Sequence, residues 1–295
     1  AAIVHAPCWL GVAIVVPNIV NPYYPEFVRI AERVARQRKY FLMVCNTDEQ
    51  AEIGRAYIKQ ISGTLADGVL VLHTGISATE ILELRGGRRS PLVLASVETT
   101  DFPDSVPQVV VDFRLAGKIA GQHLIELGHR QIGVIVGNGC DGTHSLRLEG
   151  FQDALADAGV SLDQRDVRYV LDSIAGGYQT VCELIEANPA LTAIYATNDL
   201  LAYGATQALA DRGIAVPEAM SIVGVTNIQL TQEMRPPLTT VSLNIEEVAF
   251  AWAEGQDPIT HHDGEERKAL AMEAAQELAE DLASLAGPTA EPATV

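Results

Sequence analysis

Short apolar runs rich in β-branched residues recur along the chain. They are LGVAIVV (10–16), FLMVCN (41–46), DGVLVLH (67–73), PLVLAS (91–96), QVVVD (108–112), QIGVIVG (131–137), VRYVLD (167–172), LTAIYAT (191–197) and MSIVGVT (220–226). The runs are nearly continuous rather than alternating, the pattern of strands buried on both faces in a parallel sheet. Segments with helical spacing lie between them. PEFVRIAERVARQ sets Phe27, Ile30 and Val34 on one face. RLAGKIAGQHLIELGHR groups Leu115, Ile119, His123 or Leu124, and Leu127, with Gly128 placed to end the helix. SLRLEGFQDALADAG stops at Gly159, and DLLAYGATQALADRG stops at Gly213. Strand-helix-strand repetition of this kind predicts right-handed βαβ units.

The repetition falls into two halves, each with enough strands for one doubly wound sheet. The expected fold class is α/β, with two similar parallel-sheet lobes facing each other across a ligand cleft. An N-terminal lobe would take residues 1–112 plus about 244–286, and a C-terminal lobe residues 113–243. After PPLTTVSLN (236–244) the character changes. GEERKALAMEAAQELAEDLASLAG (264–287) sets Leu270, Ala274, Leu278, Leu282 and Leu285 on one stripe and predicts an amphipathic helix. The residues that follow, 287–295, are expected to form a disordered tail.

Composition narrows the function. The chain has 295 residues, 48% of them hydrophobic and 20% charged, a globular balance. No apolar run approaches the roughly 18 residues of a membrane span, and the leading candidate stops at Pro17. A formal charge of −18 opposes binding of a phosphate backbone by these residues themselves. The one basic cluster, RIAERVARQRK (29–39), has helical spacing and reads as a solvated face. Cys8, Cys45, Cys140 and Cys182 form no C-x-x-C pair, which fits a reducing, cytoplasmic setting. Ala1 in place of an initiator Met leaves a removed signal peptide and an upstream domain both open.

Catalytic motifs are missing. Gly137–Gly142 matches G-x-G-x-x-G after a strand, the dinucleotide fingerprint. The string DGTHS, however, predicts a loop continuing past the third glycine. The next strand-end acid, Asp172, also lies farther away than the roughly 20 residues of a ribose-binding carboxylate. No cofactor is therefore expected. His261-His262-Asp263 reads as incidental surface, and the other histidines show no ligand spacing.

What remains is a set of polar and aromatic residues at strand C-termini, where open α/β sheets bind ligands. These are Asn21-Pro22-Tyr23-Tyr24, Thr47-Asp48, Asp112, Arg147, Asn198-Asp199 and Thr226-Asn227. Each alone is better explained as a helix cap or turn residue. Together they predict a site of Tyr23, Tyr24, Asp48, Asp112, Arg147, Asn198, Asp199 and Thr226. Aromatics to stack on a ring and forked polar groups to bond its edges suit a sugar, polyol or nucleobase.

The stretches GVAIVVPNIVNPYYPEFVRIAE, VVVDFRLAGKIAGQHLIELGHRQIGVIVG, RLEGFQDALADAGV, AIYATNDLLAYGATQALADRGIAVPEAMSIVGV and PPLTTV, in this order over about residues 10–244, carry a resemblance. The chain resembles the effector-binding core of LacI/GalR-type transcription regulators, whose fold is that of type I periplasmic binding proteins. The resemblance implies a sensor rather than an enzyme. It implies a homodimer, with contacts on the first helix, on region 67–98 and on the corresponding face of the second lobe. It also implies operator DNA as a partner, reached through an N-terminal helix-turn-helix outside these residues. Tyr23 and Tyr24 match aromatic contact positions, Arg147 a ligand-clamping arginine, and Asn198-Asp199 the polar pair near the second crossover. Two departures concern the pocket. The family commonly places Gly-aromatic-Asp-Asp after the ninth strand, where this chain has Gly224-Val225-Thr226-Asn227. Ser173-Ile174 follow Asp172 where an aromatic often closes the pocket. With the acid at 226 lost, Asp199 is the nearest remaining candidate acceptor. Beyond about Asn244 the usual last strand is not recognisable. A periplasmic sugar-binding protein of a transporter shares the fold and is the alternative.

Overall fold

The structure, a computed structural model, describes residues 10–62, 65–72, 75–86, 92–95, 108–138, 142–245 and 248. The helix expected over 264–287, the tail and the His261-His262-Asp263 segment lie outside them. Of the expected C-terminal return to the first lobe, only its start is described, with Ile245 and Val248 buried.

Two parallel sheets form, each of five strands among the described residues. The first is built from β1 (Leu10–Val16), α1 (Tyr23–Gln37), β2 (Tyr40–Asn46), α2 (Ala51–Ile61), β3 (Gly68–Leu72), α3 (Ala78–Arg85), β4 (Leu92–Ala95) and β5 (Gln108–Val109). The second follows as α4 (Phe113–Glu126), β6 (Ile132–Gly137), α5 (Thr143–Asp157), β7 (Val167–Val170), α6 (Ile174–Ala187), β8 (Ala193–Ala196), α7 (Asp199–Asp211), β9 (Ser221–Thr226), α8 (Gln229–Glu233) and β10 (Thr239–Ser242). Strand orders are β2-β1-β3-β4-β5 and β10-β9-β8-β6-β7. In each order the direction of winding reverses once, between β1 and β3 and between β6 and β8. These reversals open crevices at the strand C-termini.

The apolar runs form strands because both faces are covered. All six residues of β6 and all four of β8 are buried. Several expected strands are shorter than their apolar runs, β5 and β8 among them. β5 keeps only Gln108–Val109, because Val110 is exposed and Asp112 already caps α4. β8 stops at Ala196; beyond it Thr197 Oγ1 accepts from the Gly137 amide at the end of β6, and Asn198 Oδ1 accepts from the Leu201 amide in α7. β10 is the strand hardest to see in sequence, being short, rich in Thr and only partly buried. One apolar cluster runs from Ile14, Phe27 and Leu70 of the first half to Phe113, Phe151 and Val223 of the second.

Glycines bring α4 and α5 into close contact. A Cβ on Gly117 would fall 1.8 Å from the Arg147 carbonyl oxygen, and one on Gly150 would fall 1.7 Å from the Arg114 carbonyl oxygen. Neither position tolerates a side chain without separating the helices. Exposed pairs, Arg114 with Asp153 and Lys118 with Asp157, lie along the same contact. This packing fixes how far Arg147 reaches, because Arg147 stands on the α5 turn that touches Gly117.

Candidate functional site

The loop after β1 is shaped by its asparagines. Asn18 Oδ1 accepts from the Val20 and Asn21 amides, and Asn21 Oδ1 accepts from the Tyr23 amide. These local bonds start α1 at Tyr23 and leave the Asn21 amide nitrogen to donate elsewhere. It donates across to the second half, to Asp172 Oδ2 at 3.1 Å. A second bond joins the halves nearby, the Gln229 amide donating to Glu26 Oε1 at 2.8 Å. Burial raises the Glu26 carboxyl above its ordinary range, against the lowering effect of this bond.

At the C-terminal end of β8, Asn198 does two things. Its Oδ1 accepts from the Leu201 amide and caps α7, and its Nδ2 donates to Asp172 Oδ1. Thr197 beside it accepts from the Gly137 amide and meets His144 Nδ1 at 2.7 Å, while its carbonyl accepts from the Arg147 guanidinium at 2.7 Å. The guanidinium also lies over the Phe113 ring, 4.9 Å from its centre. Arg147 is only 5% exposed, and its Nε has no hydrogen-bond partner. His144 Nε2 stands 3.9 Å from Asp172 Oδ2. Asp172, His144, Arg147, Thr197 and Asn198 therefore form one polar cluster at the β6/β8 reversal, reached from the other half by Asn21. Burial pushes the Asp172 carboxyl up, opposed by its bond from Asn198 and by the Arg147 charge.

The expected site residues divide among several places. Arg147 and Asn198 belong to the cluster. Tyr23 is buried in the core with Tyr24 packed edge-on against it, ring centres 5.2 Å apart, and Tyr24 is half-buried. Asp199 and Thr226 are together but turned inward. Asp199, 1% exposed, accepts from Thr226 Oγ1 at 2.8 Å, the Ile228 amide at 3.0 Å and Thr240 Oγ1 at 2.6 Å. Burial raises its carboxyl as well, against these donors. Asp48 is exposed in the turn after β2, and Asp112 is exposed and accepts from the Leu115 amide at the start of α4. No hydrogen bond among the described residues joins Asp48 or Asp112 to the cluster.

Two sequence expectations change here. The loop of the glycine fingerprint was expected to continue past Gly142, but α5 starts at Thr143 directly after it. Gly142 has φ +76°, a conformation glycine adopts without strain. Gly137 serves the cluster, since a Cβ there would lie 2.6 Å from the His144 ring. In sequence His144 shows no ligand spacing and Asp172 marks only a strand end. Only the fold brings them together, because 28 residues of helix, turn and strand separate them. A cavity of about 720 Å3, lined by Arg130, Asp163, Arg165 and Arg168 among others, lies at the N-terminal ends of β6 and β7, the opposite end of the sheet from the cluster. Among the described residues no helix is long and apolar enough to cross a membrane, and no group of His, Cys, Asp or Glu could hold a metal ion. Cys45 and Cys182 are free thiols.

Comparison with known proteins places this geometry. Residues 10–275 match the family described as periplasmic binding proteins and sugar binding domain of LacI family. The chain is 33% identical to the HTH-type transcriptional regulator DegA of Bacillus subtilis over 253 residues, 83% of this chain and 74% of that one. It is 31% identical to the HTH-type transcriptional repressor PurR of Actinobacillus pleuropneumoniae over 231 residues, 78% of this chain and 68% of that one. Among solved structures, a LacI family transcriptional regulator from Enterococcus faecium with bound ribose superposes with a TM-score of 0.73 at 27% identity, covering 83% of this chain and 88% of that one. The Escherichia coli transcriptional repressor ascG gives 0.71 at 25% identity, covering 84% and 93%. These relatives are transcription regulators rather than transport proteins. The chain belongs to the LacI family of transcription regulators and is an effector-sensing region of periplasmic-binding-protein type.

Proposed function

We propose that a small polar effector, a sugar, polyol or nucleobase, binds between the two halves at the β6/β8 reversal. Its binding would control operator affinity through a helix-turn-helix preceding this region in a cytoplasmic homodimer. The observation that carries the reading is Arg147, a buried guanidinium with an unpartnered Nε beside the bond that joins the halves. A buried donor left unpaired costs about 1–3 kcal/mol, and an acceptor supplied by a ligand removes that cost. Tyr24 would flank the ring with Tyr23 packed edge-on behind it, and Asn198 would hold the rim. Asp199 and Thr226 would act from behind, fixing the ends of β8 and β9. Asp48 and Asp112 would line the approach. The relative with bound ribose supports a sugar-sized ligand.

An effector moves the halves only by binding one arrangement better than the other. The bonds Asn21–Asp172 and Glu26–Gln229 are the contacts such a difference would act on. Dimer contacts are assigned to α1 and the region 67–98, with a matching face on the second half. Sedimentation of a monomer at micromolar concentration would remove that part of the proposal. The effector site is tested with Arg147→Ala. Calorimetry with the sugars, polyols and nucleobases that raise the melting temperature should show binding lost and the fold kept. Unchanged affinity overturns the assignment.

A further inference from the structure

An acidic acceptor beside a cationic donor holds a sugar-like effector well, and β9 ends in Thr226-Asn227 rather than a carboxylate. Asp199 does not supply the acceptor, because three donors from its own half occupy its oxygens. Asp172 is placed differently. Asn198 of its own half holds Oδ1, while Oδ2 takes Asn21 from the opposite half and faces His144 Nε2. Thr197 Oγ1 accepts from the Gly137 amide, so its own proton can go to His144 Nδ1. In the neutral imidazole that arrangement would leave the ring proton on Nε2, which stands 3.9 Å from Asp172 Oδ2. Arg147 and Asp172 also converge on the same dipeptide, Arg147 on the Thr197 carbonyl and Asp172 on the Asn198 amide. A cationic donor and an anionic acceptor are thus set side by side, next to a bond that can be exchanged.

Resting on the effector reading above, we propose that Asp172, oriented by Asn198 and His144, selects the effector. It accepts from one hydroxyl of a vicinal diol, in place of Asn21, while the neighbouring oxygen accepts from Arg147. A neutral diol suits the pair because each hydroxyl both donates and accepts, whereas an anion would meet Asp172 and a cation would meet Arg147. Replacing Asn21 also ties recognition to the contact between the halves. Occupancy would break one of their hydrogen bonds, giving the effector a differential effect on two arrangements.

The test uses the whole chain with D-ribose, D-glucose, D-galactose, xylitol, adenine and hypoxanthine, followed by the monodeoxy analogues of the tightest-binding sugar or polyol. Wild-type protein should prefer a diol over one of its deoxy analogues by about 10- to 100-fold, the range of a hydrogen bond to a charged group. Asp172→Asn, close in shape, should reduce that preference to about twofold or less without lowering the melting temperature. Asp172→Ser serves if the Asn variant melts early. Full preference retained in these variants overturns the assignment of Asp172, and so does tight binding of a nucleobase with no diol bound; both leave the effector reading standing. If no probe binds wild-type protein, both readings fall.

Discussion

Asp199→Ala tests whether that carboxylate braces the second sheet. Asp199 joins α7 to the ends of β9 and β10 through three donors. The Thr226 and Thr240 hydroxyls can rotate to other acceptors. The Ile228 amide is fixed by the backbone and cannot turn away. Gly224 shows how tight the site is, since a Cβ there would lie 2.4 Å from Asp199 Oδ1. A hydrogen bond to a charged group contributes about 1.5–3 kcal/mol, and a stranded buried donor costs about 1–3. Relief from burying the charge offsets part of the sum. The net loss expected is about 3–5 kcal/mol, as for breaking a buried pair. That lowers the melting temperature by roughly 6–20 °C at about 2–4 °C per kcal/mol. Thr226→Val, which removes one donor and leaves two, should cost only about 1–2 kcal/mol. Urea titrations of the three proteins, followed by fluorescence and circular dichroism, measure the difference where both probes coincide. A loss below about 1 kcal/mol for Asp199→Ala, or one no larger than that of Thr226→Val, would refute the brace.

Gly117→Ala forces α4 from α5 at the Arg147 carbonyl and should cost about 1–3 kcal/mol while weakening binding of any probe that requires Arg147; unchanged stability and affinity would mean the helix contact does not position the guanidinium. The Asp172 carboxyl has its folded-state pKa raised from an ordinary 3.8, chiefly by burial. The folded protein therefore holds the proton more tightly, and this contribution to stability is present below 3.8 and lost as pH rises through the folded value. Denaturant titrations across pH should show wild-type protein losing stability relative to Asp172→Asn over that interval, then a constant difference above it. A wild-type advantage growing with pH would contradict the burial.

Much of the fold was legible because it is repetitive and local. The strand runs at 10–16, 131–137 and 220–226 are mostly apolar, since both sheet faces are covered, and their boundaries fall within a residue of those observed. Gly128, Gly159 and Gly213 end their helices in the left-handed conformation expected of them. β10 was illegible because a short, half-exposed, Thr-rich edge carries no strong period.

The sequence by itself determined two wound sheets and a polar pair at the end of β8, and its motifs carried the resemblance to the family. The sheets and the pair follow from periodicity and from residue types at neighbouring positions. Only the tertiary structure decided which carboxylate meets the other half. Asp199 adjoins Asn198 in sequence, yet the α7 turn points it into the sheet beneath Thr226 and Thr240. Asp172 and His144 carry no local signal, yet the β6/β8 reversal brings them to Asn198 and, across the two halves, to Asn21. Sequence fixes what a side chain is and how its neighbours repeat. The direction it faces depends on the crossing of chain segments far apart, which no local pattern encodes.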